Sequence, residues 1–216
     1  KTTSKPIIKI AIPLMLQFVI SVTTWLIFFI LIESLHDETA KAISNTMRNV
    51  FGLTGVFVWA FAGTCNAMVS NLMGQQREDM VNRAITRIML WSTGSCLLMC
   101  LFINIFPRIF FGVFGQGDAF IAEAVPVLRT VSFGLLIMSM ANIWLNGVTG
   151  TGKTRINLAI EIIAITGYLF YSWYFTKVHY VSLAMAWSNE IIYWSIVFIL
   201  SFAFLKSGKW KTKTSI

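Results

Sequence analysis

The chain has 216 residues, of which 56% are hydrophobic and only 12% charged. Soluble domains carry about 25% charged residues and still expose roughly 30% of their unfolded surface at this length, so a water-soluble body is excluded. The net charge of +8 does not read as nucleic-acid binding. The cations fall in short gaps between apolar runs and at the two ends, as membrane proteins place them, and no basic face with interleaved aromatics is present.

Six apolar runs match the roughly 20 residues that a helix needs to cross a bilayer. They cover 10–32, 43–73, 80–106, 125–148, 156–175 and 183–205. Barrel strands would alternate apolar and polar every second residue, and these runs do not. The predicted fold is an all-α membrane protein, a single six-helix transmembrane lobe over 1–216. The second run is long enough to tilt or to protrude. The gap 107–124 holds Gly112, Gly115 and Gly117 and predicts an outer loop with some interfacial helix. The run after the basic stretch Lys1 to Lys9 is too long for a signal peptide, and a sequence opening on Lys1 is expected to be part of something longer.

The gaps orient the bundle. Lys1, Lys5 and Lys9, then Arg77, Arg83 and Arg87, then Lys153 and Arg155, then Lys206, Lys209, Lys211 and Lys213 alternate onto one side; Lys41, Arg108 and Lys177 fall on the other. Cationic loops stay inside, so both termini are expected in the cytoplasm. His36 and His179 lie in outer gaps without partners at useful spacing.

Polar side chains within the spans cost free energy in lipid and therefore face a bundle interior or a wet cavity. At 100° per residue, Asn45, Arg48, Gly52, Gly55, Trp59, Gly63, Asn66 and Ser70 share one face of the second span. Gln17, Ser21 and Thr24 share a face of the first, Ser132, Ser139, Asn142 and Asn146 of the fourth, and Asn157, Glu161, Tyr168 and Ser172 of the fifth. Any one serine or glycine reads equally as helix–helix packing. Four such faces together read as a hydrated cavity. Arg48, Arg129, Glu161 and Glu190 are the charges well inside the spans. An unpaired buried charge costs several kcal/mol, which predicts that Glu190 pairs with Arg48 or Arg129. Glu161 is either a proton or cation ligand or a side chain snorkelling beside Lys153 and Arg155.

Gly147 to Thr154 fits the phosphate-loop pattern G-x-x-x-x-G-K-[ST]. The pattern needs a strand before it, and an apolar span stands there instead, so no nucleotide is expected. A tight cytoplasmic turn explains it. Cys65, Cys96 and Cys100 all sit in apolar runs without a histidine at metal spacing. They read as small packing residues, although Cys96 and Cys100, one turn apart, could face a soft metal.

Four stretches carry a resemblance. Pro13 lies in an Ile-Pro-Leu context opening the first span. Val69-Ser70-Asn71-Leu72-Met73-Gly74-Gln75 is followed by Arg83-Ala84. Phe114 leads into Pro126-Val127-Leu128-Arg129, and Asn146-Gly147-Val148-Thr149-Gly150-Thr151-Gly152-Lys153-Thr154-Arg155 closes the fourth span. Together they resemble one lobe of the multidrug and toxic compound extrusion (MATE) transporters. The resemblance implies half of a secondary antiporter that exports organic, often cationic compounds against Na⁺ or H⁺, without a cofactor. It implies a second six-helix lobe as partner, and a bacterial cytoplasmic membrane. The basic ends favour the carboxy-terminal lobe. The substrate path would run past Gln17, Ser21, Thr24, Asn45, Arg48, Trp59, Asn66, Asn142, Asn146 and Tyr168, with Glu161 and Glu190 as ion-coupling candidates. Many members carry a carboxylate in the first helix, where Gln17 and Ser21 stand, and in the fourth, where Asn142 and Asn146 stand. Lys153 stands where aspartate is frequent. A lipid-linked oligosaccharide flippase of the same superfamily would show more cations around the cavity, a membrane enzyme would need a histidine or acid pair near an interface, and a scaffold would use the polar faces for packing alone.

Overall fold

The computed structural model describes residues 4–35, 37–179 and 182–211. His36, Lys1 and Lys213 lie outside them. The described residues form helices and turns, and six helices are long and apolar enough to cross a membrane.

Helix α1 (Ser4–Glu33) carries Pro13 in its interior. Asp37 then caps α2 (Glu38–Gly74), its Oδ1 accepting from the N–H groups of Thr39 at 2.9 Å and Ala40 at 3.0 Å. That fills two of the donors left open at any helix start. A 3₁₀ turn, Glu78–Met80, leads into α3 (Val81–Ile105). The predicted outer loop is shorter than the gap suggests. Pro107 starts a short helix, α4 (Pro107–Gly112), where its missing N–H costs nothing, and Asp118 already begins α5 (Asp118–Gly150). Helix α6 (Thr154–Trp173) ends in a wider π-helical turn, Tyr174–Val178. The last span is interrupted at Ser188, between α7 (Leu183–Trp187) and α8 (Asn189–Lys206). The Ser188 hydroxyl bonds the Met185 carbonyl and the Tyr171 hydroxyl, both at 2.7 Å.

Helix α5 is the hub, packed against α2, α3 and α8. Its contacts with α3 use small side chains bonded to its carbonyls: Ser92 to Ser139 at 3.3 Å, Cys96 to Leu135 at 3.5 Å and Cys100 to Ser132 at 3.7 Å. Cys65 does the same from α2, reaching the Ile143 carbonyl at 3.4 Å. The cysteines therefore pack helices together, and among the described residues no group of three potential metal ligands forms. Helix α1 stands apart from this hub. It leans on α6 and barely touches α2, which leaves a gap between α1 and α2.

The false phosphate loop is a helix–turn–helix. Gly147 and Gly150 belong to the last turn of α5, Gly152 takes a left-handed φ of 78°, and α6 begins at Thr154. Its glycines serve close packing. A Cβ on Gly147 would lie 2.6 Å from Cδ1 of Ile85, and one on Gly150 would lie 2.7 Å from Val69 Cβ and 2.9 Å from the Asn66 carbonyl. The stripe of glycines on α2 does not receive another helix in this way. Gly52 and Gly63 face open space, and Gly55 is covered by the Trp59 ring of its own helix at 3.0 Å.

Gly150 thus sets how closely α5 approaches α2. Gly150→Ala should destabilise the fold by about 1–3 kcal/mol, the usual cost of overpacking, whereas Gly94→Ala, with nothing within 4 Å of the new Cβ, should be neutral or better. Thermal unfolding of both variants in detergent checks this.

Candidate functional site

The gap between α1 and α2 is the mouth of a cavity of about 740 Å³. Its walls come from five helices. Helix α1 contributes Gln17, Ser21, Thr24 and Trp25, and α2 contributes Arg48, Phe51, Gly52 and Trp59. Helix α5 contributes Met138 and Asn142, α6 Glu161 and Tyr168, and α8 Glu190, Tyr193 and Trp194. Nine of the twelve residues singled out from the sequence meet here, from every span but the third. A polar stripe on a membrane helix must face either protein or water, and here part of each of the four stripes faces the same space.

Two carboxylates dominate the chemistry. Glu161 is 1% exposed and Glu190 is 4% exposed. Glu161 projects from α6 two turns beyond Thr154, about 10 Å along the helix. It does not snorkel. Its Oε1 accepts from the Ser21 hydroxyl and from the Tyr193 hydroxyl at 2.6 Å, and its Oε2 from Gln17 Nε2 at 3.5 Å. These donors come from α1 and α8, so the carboxylate bolts three helices together and has no reach left for the interface. Glu190 accepts from the Tyr168 hydroxyl at 3.2 Å and from the Trp194 indole N–H at 3.0 Å. Its Cβ would sit 3.3 Å from a Cβ on Gly134, so α8 lies tight on α5 at this point.

The expected ion pair of Glu190 with Arg48 or Arg129 is not formed. Among the described residues, neither buried carboxylate has a lysine or arginine in ion-pair range; the pairs that form are Lys41 with Glu38 at 2.8 Å and Arg108 with Asp118 at 3.4 Å. Arg48 and Arg129 are exposed; Arg48 lines the same cavity as Glu190 without pairing with it and stands over the Phe29 ring, 5.6 Å from its centroid. Two neutral donors, the Tyr168 hydroxyl and the Trp194 indole, stand where one cation was expected. Hydrogen bonds to a carboxylate are stronger than those between neutral groups, and here they take the place of a counter-charge.

Three predicted lining residues lie elsewhere. Asn45 sits with Arg48 in a smaller cavity of about 320 Å³ between the end of α1 and the start of α2, with Glu33 and Lys41. Asn66 does not line the cavity: its backbone carbonyl meets α5 at Gly150, and its Oδ1 accepts from the Ser70 hydroxyl at 3.5 Å. Asn146 turns inward and donates to Oδ1 of Asn142 at 2.8 Å, orienting that lining residue from one turn below. The sequence reading missed Trp25, Phe51, Tyr193 and Trp194. Tyr193 and Trp194 follow Glu190 at i+3 and i+4, the spacing that places them on its face. That signal was available. Trp25 and Trp59 line the cavity.

Because Glu161 holds donors from two other helices, its replacements should separate. Glu161→Leu leaves the Ser21, Tyr193 and Gln17 donors without an acceptor, at about 1–3 kcal/mol for each group left unsatisfied. Glu161→Gln keeps an acceptor and should unfold well above Glu161→Leu. Thermal melts that gave both variants the same midpoint would contradict the hydrogen-bonding described.

A family model described as MatE matches residues 13–173 of the chain. Among solved structures, the fold superposes on the Vibrio cholerae MATE transporter VcmN in its bent form with a TM-score of 0.87 and 11% identity, over 97% of this chain and 48% of that one. A multidrug resistance MATE family transporter of the MOP superfamily, in an outward-facing conformation, gives a TM-score of 0.82 and 12% identity over 95% of this chain and 46% of that one. The chain spans about half the length of each. No curated protein matches the sequence.

Proposed function

The chain belongs to the MatE family, and from that premise we propose that it is one lobe, the carboxy-terminal one, of a secondary-active exporter of organic cations. Both termini would lie in the cytoplasm, given the distribution of lysine and arginine between the two sides, and the membrane would be a bacterial inner membrane. A second six-helix lobe would face the gap between α1 and α2 and complete the path. A transporter reading, not an enzyme reading, suits a cavity whose polar groups are spread over five helices and do not converge on one reacting atom.

One observation carries the proposal. Two buried carboxylates without a basic partner among the described residues open onto a cavity walled by Trp25, Phe51, Trp59, Tyr168 and Trp194. Aromatic faces attract organic cations, and a carboxylate in a low-dielectric wall attracts them more strongly than in water. The same carboxylates bind a proton or a small cation. An organic cation and a coupling ion then compete for one charge, and each binds better when the other has left. A ligand shifts an alternating-access equilibrium only by its differential affinity for the two states, so this competition is what would couple outward movement of substrate to inward movement of ion. In this reading Glu190, collared by aromatic side chains, meets the substrate, and Glu161 meets the ion. The flippase alternative is not supported by the wall, which carries two carboxylates against the single guanidinium of Arg48.

The test uses the full-length protein in a host lacking its own efflux pumps. Extrusion of a fluorescent cationic dye should depend on an imposed Na⁺ or proton gradient, and Glu190→Gln should lower the rate at least tenfold at normal expression. Dye retention equal to that of the empty host, with the wild-type protein present in the membrane, would overturn the reading.

A further inference from the structure

Among the described residues, α3 is the one spanning helix with no side chain on the cavity wall, and it carries two thiols on a single face. Cys96 and Cys100 are 1% and 4% exposed, and their Sγ atoms stand 4.0 Å apart. Residues four apart are neighbours on a helix surface, so the backbone of α3 alone holds the pair together. Each thiol also reaches a carbonyl of α5, Leu135 at 3.5 Å from Cys96 and Ser132 at 3.7 Å from Cys100. A thiol is a weak donor, so little is lost when its proton is given up.

Thiolates select soft metals, and the geometry and charge of this pair narrow the choice. Structural zinc takes four ligands in a tetrahedron. Here two sulfurs stand together, and among the described residues no third histidine, cysteine, aspartate or glutamate joins them. That leaves an ion satisfied by two ligands in line. Two metal–sulfur bonds of about 2.3 Å span about 4.6 Å end to end, so from 4.0 Å the Sγ atoms need to part by only about 0.6 Å, a small rotation about either χ1. Copper(I) or silver(I) between two thiolates leaves one negative charge, and an uncompensated charge in a low-dielectric interior is costly. The carbonyl oxygens of Leu135 and Ser132 that face the thiols add to that charge instead of offsetting it. Mercury(II) between two thiolates is neutral.

We propose that Cys96 and Cys100 form a two-coordinate site for a soft divalent ion of the mercury(II) class. The ion arrives as its neutral dichloride, which dissolves in lipid, on the side where Leu97 and Leu101, 43% and 46% exposed, flank the pair. Two S–H bonds and two Hg–Cl bonds break, two Hg–S bonds form, two protons and two chlorides leave to water, and nothing is oxidised or reduced. Occupation gives up both sulfur contacts between α3 and α5 and leaves the bond of Ser92 to the Ser139 carbonyl as the remaining one of the three. Cys65 stands apart on α2, bonded to the Ile143 carbonyl, and can offer one sulfur only. The site does not depend on the transporter reading.

The probe is mercuric chloride, added to the purified full-length protein in which every cysteine outside this pair is replaced by serine. Any thiol binds mercury(II), so the decisive reading is retention during dialysis against a competing monothiol, N-acetylcysteine. The pair should keep one mercury per chain and show the ultraviolet charge-transfer absorption of a sulfur–mercury–sulfur unit. Cys96→Ser and Cys100→Ser should each release the metal at a monothiol concentration at least tenfold lower. Serine keeps a donor for the α5 carbonyl, and if one variant does not fold the other carries the comparison. Zinc chloride should leave no metal behind. Equal retention by the pair and by a single-serine variant, one mercury shared between two chains, or zinc held at one per chain would overturn the site.

Discussion

Lipid offers no hydrogen bonds, so every polar group that a membrane helix carries must find its partner within the protein. Glu161 is where this constraint acts hardest. Its carboxylate is held by Ser21 and Gln17 of α1 and by Tyr193 of α8, while α1 has little other attachment to the hub around α5. Ordinary apolar packing fixes α2, α3, α5 and α8 against one another. Helix α1 is held by this polar knot against α6 and, toward its carboxy-terminal end, by Phe28 and Ile32 buried in the core with Tyr168 and Trp187, and the gap that makes the cavity lies where α1 touches α2 little.

A carboxylate that fastens helices is also open to competition: any ligand that takes its hydrogen bonds changes how firmly α1 is held. Interfaces and packed cores tend to be bistable rather than continuously deformable, so loosening one fastening can favour a discrete second arrangement. The tight side of the lobe is built differently. Gly147 and Gly150 bring α5 onto its neighbours within backbone distance, and small side chains on α3 bond directly to α5 carbonyls. The lobe thus pairs a rigid half with a helix secured by titratable chemistry.

Much of this was legible in the sequence. Six apolar runs give six spans, and helical periodicity brought Gln17, Ser21, Asn142, Glu161 and Tyr168 to one side of the bundle before any coordinates. The failures have physical causes. Periodicity gives a face but not a depth or a neighbour, so Asn66 shares the stripe of α2 yet lies outside the cavity, at the level where its carbonyl meets Gly150 of α5. Charge counting expects a cation beside Glu190, but an uncharged phenol and an uncharged indole donate to it instead, and no sequence pattern distinguishes a phenol or an indole used as a donor from one used as packing. The glycines of α2 resembled a helix-packing stripe, whereas the close approaches are at Gly147 and Gly150, within the pattern that imitates a phosphate loop.

The most direct measurement asks whether the polar faces see water and the apolar faces see lipid. With Cys65, Cys96 and Cys100 replaced, a water-soluble maleimide can be applied to the full-length protein in membranes carrying Ser21→Cys or Leu98→Cys. Ser21 lines the cavity, and Leu98, 71% exposed on α3, faces away from it. Rapid labelling at position 21 with little at position 98 is the predicted result; rapid labelling at 98 with protection at 21 would contradict the account.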